Sequence, residues 1–251
     1  MTDLHCHILP GIDDGSKSIE TSLTLLQQQK EQGVTHIAYT PHFRCDEQDV
    51  NLFLKNRLQS VRALHQAAVG MGFSFVTKLG AEAYFSPTLA EIDLAPICLQ
   101  GTKMMLVELP VTYNSSFTMD VLYEVQLQGI TPIIAHIERY PYAVTDMNFI
   151  YELVNAGCII QTNAASIVRK DALSKVILKL IRWNLIHIVA SDTHSAHRRP
   201  SRMGDAATII KAKLGEQTWQ QLEANAAGIF AGDEFMPADA HCPRKFFGKW
   251  I

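Results

Sequence analysis

The chain has 251 residues, 47% of them hydrophobic, and a formal net charge of −3. That length and apolar fraction suit one sizeable α/β domain, and the acidic balance disfavours a protein that grips nucleic acid by neutralising phosphates. Five cysteines at wide spacing with no C-x-x-C make no disulfide framework. With no basic segment leading into an apolar run and no apolar stretch of membrane-span length, a cytoplasmic location without stable membrane insertion is expected.

Apolar runs of strand length alternate with stretches of helical period. The first strand is expected over residues 2–5. A helix follows over 18–32, with Ile19, Leu23, Leu26 and Lys30 on one line and Leu25 beside it; Gly33 ends it. A strand over 34–40 leads to a helix carrying Leu52, Leu58, Val61, Leu64 and Ala68, which ends near Gly70. Strands are then expected over 75–80 and 104–107. A helix over 120–128 ends at Gly129 and a strand occupies 130–135. A helix over 149–156 ends at Gly157 and a strand occupies 158–162. A helix over 174–183 runs straight into the last strand, 186–190, and at least one more helix follows Glu216. Most of the strands are short and continuously apolar, as parallel strands buried on both faces should be. The helix–glycine–strand rhythm is the βα unit repeated. About seven units fit, so the fold class is α/β: a seven-unit barrel, one unit short of the common eight, with an open doubly wound sheet as the competing topology. No glycine-rich linker or low-complexity tract divides the chain, and one domain over 1–251 is expected. The tail from His241 sets Arg244, Lys245 and Lys249 among Phe246, Phe247 and Trp250. It reads as a strand or coil packed on the body, with a partner or membrane-surface contact as the alternative.

Residue types that bind metals fall at the ends of these strands. His5 and His7 close the first strand, His42 follows the second and Glu82 the third. Glu108 closes the fourth, His136 follows the fifth, and Asp192 and His194 follow the seventh. In parallel α/β barrels the C-terminal strand ends converge, so these residues can meet around one cavity. Alternate strand residues share a face, so His5 and His7 can reach one metal while Cys6 points away; Asp192 and His194 are read the same way. Taken singly, each has an ordinary structural explanation: a hydrogen-bonded core histidine, a carboxylate paired with a base, or, for Asp14, a turn residue. Together, five histidines and four carboxylates are partnered most economically by a multi-metal site, and such ligands suit zinc, iron or manganese. His36, His65, His187, His197 and His241 read as structural; for His197, near the site, a role supporting the ligands is the alternative.

The segments Asp3-Leu4-His5-Cys6-His7-Ile8-Leu9-Pro10-Gly11-Ile12-Asp13-Asp14-Gly15, Thr40-Pro41-His42, Gly80-Ala81-Glu82, Val107-Glu108, Ala135-His136-Ile137-Glu138-Arg139-Tyr140, Gln161-Thr162-Asn163 and Ser191-Asp192-Thr193-His194, followed by Arg199, carry a resemblance. The chain resembles the PHP (polymerase and histidinol phosphatase) superfamily, and within it the bacterial tyrosine-protein phosphatases of capsular and exopolysaccharide loci. The resemblance implies a distorted seven-unit barrel and three divalent metal ions, with manganese the usual activating metal. By position, one ion would take His5, His7, Glu82 and Asp192. A second would share Glu82 and add Glu108 and His136, and the third would take Asp14, His42 and His194. Arginines matching Arg139 and Arg199 would hold the phosphate. The chain departs from the family in having Ile137 where proline is common. The implied substrate is a phosphorylated bacterial tyrosine kinase that controls polysaccharide assembly.

Three other readings compete: a small-molecule phosphatase such as one for histidinol phosphate, a polymerase-associated exonuclease, and a binding module with a degenerate site. The first lacks the long Leu-Pro-Gly-Ile-Asp-Asp-Gly segment, the second suits neither the charge nor the length, and the third should have lost ligands. A cysteine-based phosphatase mechanism needs an arginine six residues after the cysteine. None of Cys6, Cys45, Cys98, Cys158 and Cys242 has one.

Overall fold

The computed structural model describes residues 1–246, 249 and 250. The buried strand β1 (Thr2–Cys6) leads to α1 (Ile19–Glu31), whose N-terminus is capped by Ser18 accepting from the Thr21 backbone N–H. β2 (His36–Tyr39) breaks at Thr40-Pro41 and resumes as β3 (His42–Phe43). After α2 (Val50–Ala68), β4 (Val76–Leu79) breaks at Gly80-Ala81 and resumes as β5 (Glu82–Tyr84). Two single turns of 3-10 helix, with no α-helix, lead to β6 (Met104–Glu108). The chain continues through α3 (Thr118–Leu127), β7 (Thr131–Ile134), α4 (Pro141–Thr145), α5 (Met147–Asn155), β8 (Ile159–Asn163), α6 (Ala164–Val168), α7 (Ala172–Arg182) and β9 (Ile188–Ala190). It ends in α8 (Met203–Leu214), α9 (Glu216–Ala231) and a small antiparallel pair, β10 (Lys245–Phe246) and β11 (Lys249–Trp250).

All strands before β10 pair in parallel, in the orders β1-β2-β4 and β3-β5-β6-β7-β8-β9. Because β2/β3 and β4/β5 are each one interrupted strand, this is a single sequential run of seven. Backbone bonds carry the pairing across the breaks: Gly80 N–H donates to Tyr39 O (2.8 Å) and Glu82 N–H to Pro41 O (3.0 Å). The last unit returns to the first just beyond β9, where Asp192 N–H donates to His5 O (2.8 Å) and His7 N–H to Thr193 O (2.9 Å). The order has no reversal, so the doubly wound alternative fails. The architecture is the expected distorted seven-unit α/β barrel.

Side-chain alternation sorts the apolar residues into two cores. Leu4, Ala38, Leu106, Ile133, Ile159 and Ile188 face inward and meet Ala226, Ile229 and Phe230 of α9, which closes one end of the barrel. Ile37, Met105, Val107, Ile134, Ile160 and Val189 face outward onto the helices. A register shift in β1 between Asp3 and Cys6 interrupts the alternation. Leu4 therefore lies in the inner core while Cys6, two residues on, joins the outer one.

The structure differs from the sequence reading in several places. α1 buries Ser22, Leu25, Leu26 and Gln29, and Lys30 is exposed. α2 buries Phe53, Arg57, Ser60, Val61 and Leu64, whereas Leu52 is 56% exposed. β4 is not buried on both faces, and Val76 is exposed. α4, α6 and α8 were not anticipated. In the tail, Trp250 Nε1–H donates to Thr145 O (3.2 Å) and His241 N–H to Trp183 O (2.9 Å), so the tail packs on the body. Phe247 lies outside the described residues.

Candidate metal centre

At the end of the barrel opposite α9 the strand ends bring nine side chains together. His5 and His7 place their Nε2 atoms 3.0 Å apart. Each Nε2 lies 3.1 Å from Glu82 Oε2 and 3.6 Å from Asp192 Oδ1. His136 Nε2 approaches the other oxygen of Glu82 at 2.9 Å and Glu108 Oε1 at 3.6 Å. His42 Nδ1 lies 3.1 Å from Glu82 Oε2, and its Nε2 lies 3.3 Å from Asp14 Oδ1. His194 Nε2 is 3.5 Å from the same Asp14 oxygen. Glu82 is thus the hub, touching four imidazoles through two oxygens.

Four overlapping groups have ligand atoms all within 4.8 Å of one another: His7, Asp14, His42 and His194; His5, His7 and Asp192; His5, Glu82 and His136; and His42, Glu82 and Glu108. All nine sequence-derived residues are included. The groups share members: His7 stands in the Asp14 group as well as beside His5, and Glu108 gathers with His42. His36, His65, His187, His197 and His241 stand outside all four. His187 immediately precedes β9 instead of lying within a strand, and His197 is exposed.

The donor set fits divalent cations. Glu82 Oε2, Asp192 Oδ1 and His194 Nε2 are buried without a hydrogen-bond partner. Buried polar atoms are rarely left so unless something else completes them. Burial acts to lower the pKa of His7, but Asp13 and Glu82 outweigh it and push it up to about 10. Burial acts to raise the pKa of Glu82, yet the surrounding imidazoles hold it well below the usual carboxylate range. Burial and the neighbouring Glu82 charge raise that of Glu108. The cluster gathers carboxylates and imidazoles in a small space; without metal, protons on imidazoles such as His7 offset the negative charge, and a bound divalent cation would displace them.

Residues to which the sequence assigns no ligand role hold the cluster in place. Asp13 Oδ2 lies 2.7 Å from His7 Nδ1 and accepts from the His42 backbone N–H (3.1 Å). Gln161 Oε1 stands 3.2 Å from His5 Nδ1 and accepts from the His136 backbone N–H (2.6 Å), while its Nε2 donates to Asn163. Asn163 Nδ2 donates to Asp192 Oδ2 (2.7 Å). Gln161 and Asn163 alternate at the end of β8, the positional signal that marks the other residues; their segment carries the family resemblance, but an amide side chain is not a usual metal ligand and its spacing shows no role. Asp192 and His194 do not repeat the His5/His7 strand geometry. Both lie beyond β9, and Asp192 has φ +50°, as His136 has φ +32°. Left-handed backbone at non-glycine residues costs energy, and here two such residues carry candidate ligands.

Arg139 Nη1 lies 3.6 Å from Asp192 Oδ2, and Arg199 Nη2 donates to the same oxygen. Both line an open cavity with Asp14, His42, Arg44 and Glu108. Of the neighbouring arginines, Arg202 pairs with Asp205 instead (2.8 Å).

Residues 1–230 match the family described as Capsular polysaccharide synthesis, CpsB/CapC. The chain belongs to that family. Among CpsB/CapC relatives, the tyrosine-protein phosphatase CpsB of Streptococcus agalactiae is 32% identical over 232 residues, covering 88% of this chain and 94% of the relative. The tyrosine-protein phosphatase YwqE of Bacillus subtilis is 29% identical over 259 residues, covering 99% of each. A solved chain from the crystal structures of YwqE from Bacillus subtilis and CpsB from Streptococcus pneumoniae superposes with a TM-score of 0.89 at 26% identity, covering 98% of this chain and 100% of that one. Those two proteins are described as unique metal-dependent tyrosine phosphatases. The CpsB/CapC match thus takes in the whole barrel and every residue of the cluster.

Proposed function

We propose that this protein is a metal-dependent protein-tyrosine phosphatase. Its substrate is a phosphorylated bacterial tyrosine kinase that regulates capsule or exopolysaccharide synthesis. The observation that carries the reading is Glu82, buried at the centre of four imidazoles, with Asp192, Glu108 and Asp14 around it, in a chain of the CpsB/CapC family. His5, His7, Asp14, His42, Glu82, Glu108, His136, Asp192 and His194 hold three divalent ions. Manganese is the first choice, and iron or zinc suits the same N/O donors. Bound ions supply Lewis acidity and bring the pKa of water down towards about 7. The chain's own contribution is placement. Arg139 and Arg199 converge on Asp192 from the open side, with guanidinium groups positioned to take the oxygens of an incoming phosphate. The strand ends fix the cluster below them, and α9 closes the far end against solvent.

Cys6 is no nucleophile in this arrangement. It is buried in the outer core, and burial together with Asp3 raises its thiol pKa well above the ordinary value. All five cysteines are free, which suits the cytoplasm. Among the described residues, no helix is long and apolar enough to cross a membrane.

The test is a kinetic comparison of a phosphotyrosine peptide, histidinol phosphate and short single-stranded DNA with added manganese. The peptide is expected to be turned over fastest. Equal or better turnover of histidinol phosphate would move the protein to the small-molecule branch. Metal analysis of protein purified without added metal, paired with reactivation by each ion, identifies the ions.

A further inference from the structure

Strand alternation carries the site one step further outward than the candidate ligands. Tyr84 follows Glu82 by two residues on β5, and Arg44 follows His42 by two residues just past the end of β3. On β5, Tyr84 therefore shares a face with Glu82 and lies about 7 Å further along the strand. Tyr84 pairs in register with Glu108 of β6, whose side chain lines the open cavity together with Arg44. The Arg44 guanidinium carbon sits over the Tyr84 ring, 4.3 Å from its centroid. Neither residue stands in any of the four ligand groups, and neither belongs to the apolar cores. Arg44 is 46% exposed at its side chain and Tyr84 is half-buried.

An arginine–tyrosine cation–π pair at this height has a definite use. The floor of the cavity takes the phosphoryl group between the carboxylate cluster and Arg139 and Arg199. One strand step outward, Arg44 lines the cavity and its guanidinium sits over Tyr84, so the ring of an aryl ester whose phosphate is seated on that floor would meet this pair. An aromatic face with a guanidinium laid on it offers stacking and cation–π contact to such a ring, and offers little to a short alkyl chain.

We propose that Arg44 and Tyr84 form the lip that receives the phenyl ring of the substrate, and so select aryl over alkyl phosphate esters. The proposal rests on the phosphatase reading and adds the side chains that set its substrate class.

The experiment measures affinity of the metal-loaded protein for two probes: inorganic phosphate, and a peptide carrying phosphonomethyl-phenylalanine, a non-hydrolysable stand-in for phosphotyrosine. Tyr84→Ala is expected to weaken the phosphonopeptide about five- to tenfold while leaving phosphate within about twofold. Tyr84→Phe keeps the ring and should keep the affinity; Arg44→Ala should fall between. In turnover of a phosphotyrosine peptide, Tyr84→Ala should raise KM with kcat little changed. Unchanged phosphonopeptide affinity in Tyr84→Ala, or equal weakening of phosphate, would overturn the proposal. Failure of the wild type to hydrolyse phosphotyrosine counts against the phosphatase reading, whereas the binding comparison decides the lip by itself.

Discussion

His7, a candidate ligand, shows how much of the site depends on Asp13, which stands in none of the four ligand groups. Its Nε2 faces Glu82 and Asp192, and its Nδ1 is fixed by Asp13 at 2.7 Å. The same carboxylate accepts from the His42 backbone and from Gly15 N–H (2.9 Å). Gly15 must come this close: a Cβ there would meet His7 O at 2.3 Å. Orienting partners of this kind typically contribute 10–100-fold in metal affinity. Asp13→Ala should therefore lower affinity for the activating metal by roughly 10–100-fold with the fold intact, read by competition titration against a chelating dye. Wild-type affinity in Asp13→Ala would mean that His7 needs no such support. Cys6 lies next to His7 in sequence yet faces the outer core, its thiol donating to Ala38 O (3.4 Å). Cys6→Ser should keep most phosphatase activity, whereas Glu108→Ala and Asp192→Ala should abolish it. A dead Cys6→Ser that still bound metal would defeat the metal-based mechanism.

At the level of single elements, the strands and the helices α1, α2, α3 and α5, each followed by a glycine, were legible because apolar runs and glycine stops are local signals, whereas α4 and α6 carry no such mark. Which helix face is buried was not. α1 was oriented by its leucines, but Gln29 is buried because its side-chain amide donates to Asp3 and to Ser191 Oγ, and its oxygen accepts from Ser201. A carboxylate buried on β1 needs donors, and the helix turns to supply one. α2 has a parallel explanation. Arg57, inside the helix, donates to Gly80 O and to Pro96 O (3.0 Å), serving carbonyls near the break between β4 and β5. Neither requirement shows in a hydrophobic count, since each is set by a distant strand. Arg57→Ala leaves two carbonyls short of a donor and removes a buried stem, so it should cost about 2–4 kcal/mol of stability. Asp49→Ala, which removes only the cap accepting from Leu52 N–H (2.8 Å), should cost about 1 kcal/mol. Urea unfolding of the two variants measures the contrast, and equal losses would show that Arg57 is replaceable packing.

The whole molecule is a ring of parallel strands closed at one end by α9 and open at the other. The seven-unit count and the nine converging residues were readable because a repeated βα unit fixes where every strand end goes. The interruptions at Pro41 and Gly80, the left-handed backbone of His136 and Asp192, and the roles of Gln161 and Asn163 depend on neighbours brought together only by the closed ring. That closure forces charge together: Glu82, Asp192, Glu108 and Asp14 lie within a few ångströms of one another's imidazoles, and buried oxygens go without hydrogen-bond partners. A barrel carrying this at its mouth is less stable empty than filled, because a cation binds the folded cluster and has no comparable site in the unfolded chain. Metal at 100 times its dissociation constant stabilises by about 2.7 kcal/mol. For a chain of this length, each kcal/mol moves the melting temperature about 2–4 °C, so chelation should lower it by about 5–10 °C, with recovery on adding manganese. Glu82→Gln removes the charge at the hub and should both bind metal poorly and lose most of that difference. A melting temperature indifferent to chelator in wild-type protein shown to have lost its metal would mean that the cluster is held by its own hydrogen bonds and that its charges are relieved by protons instead of cations.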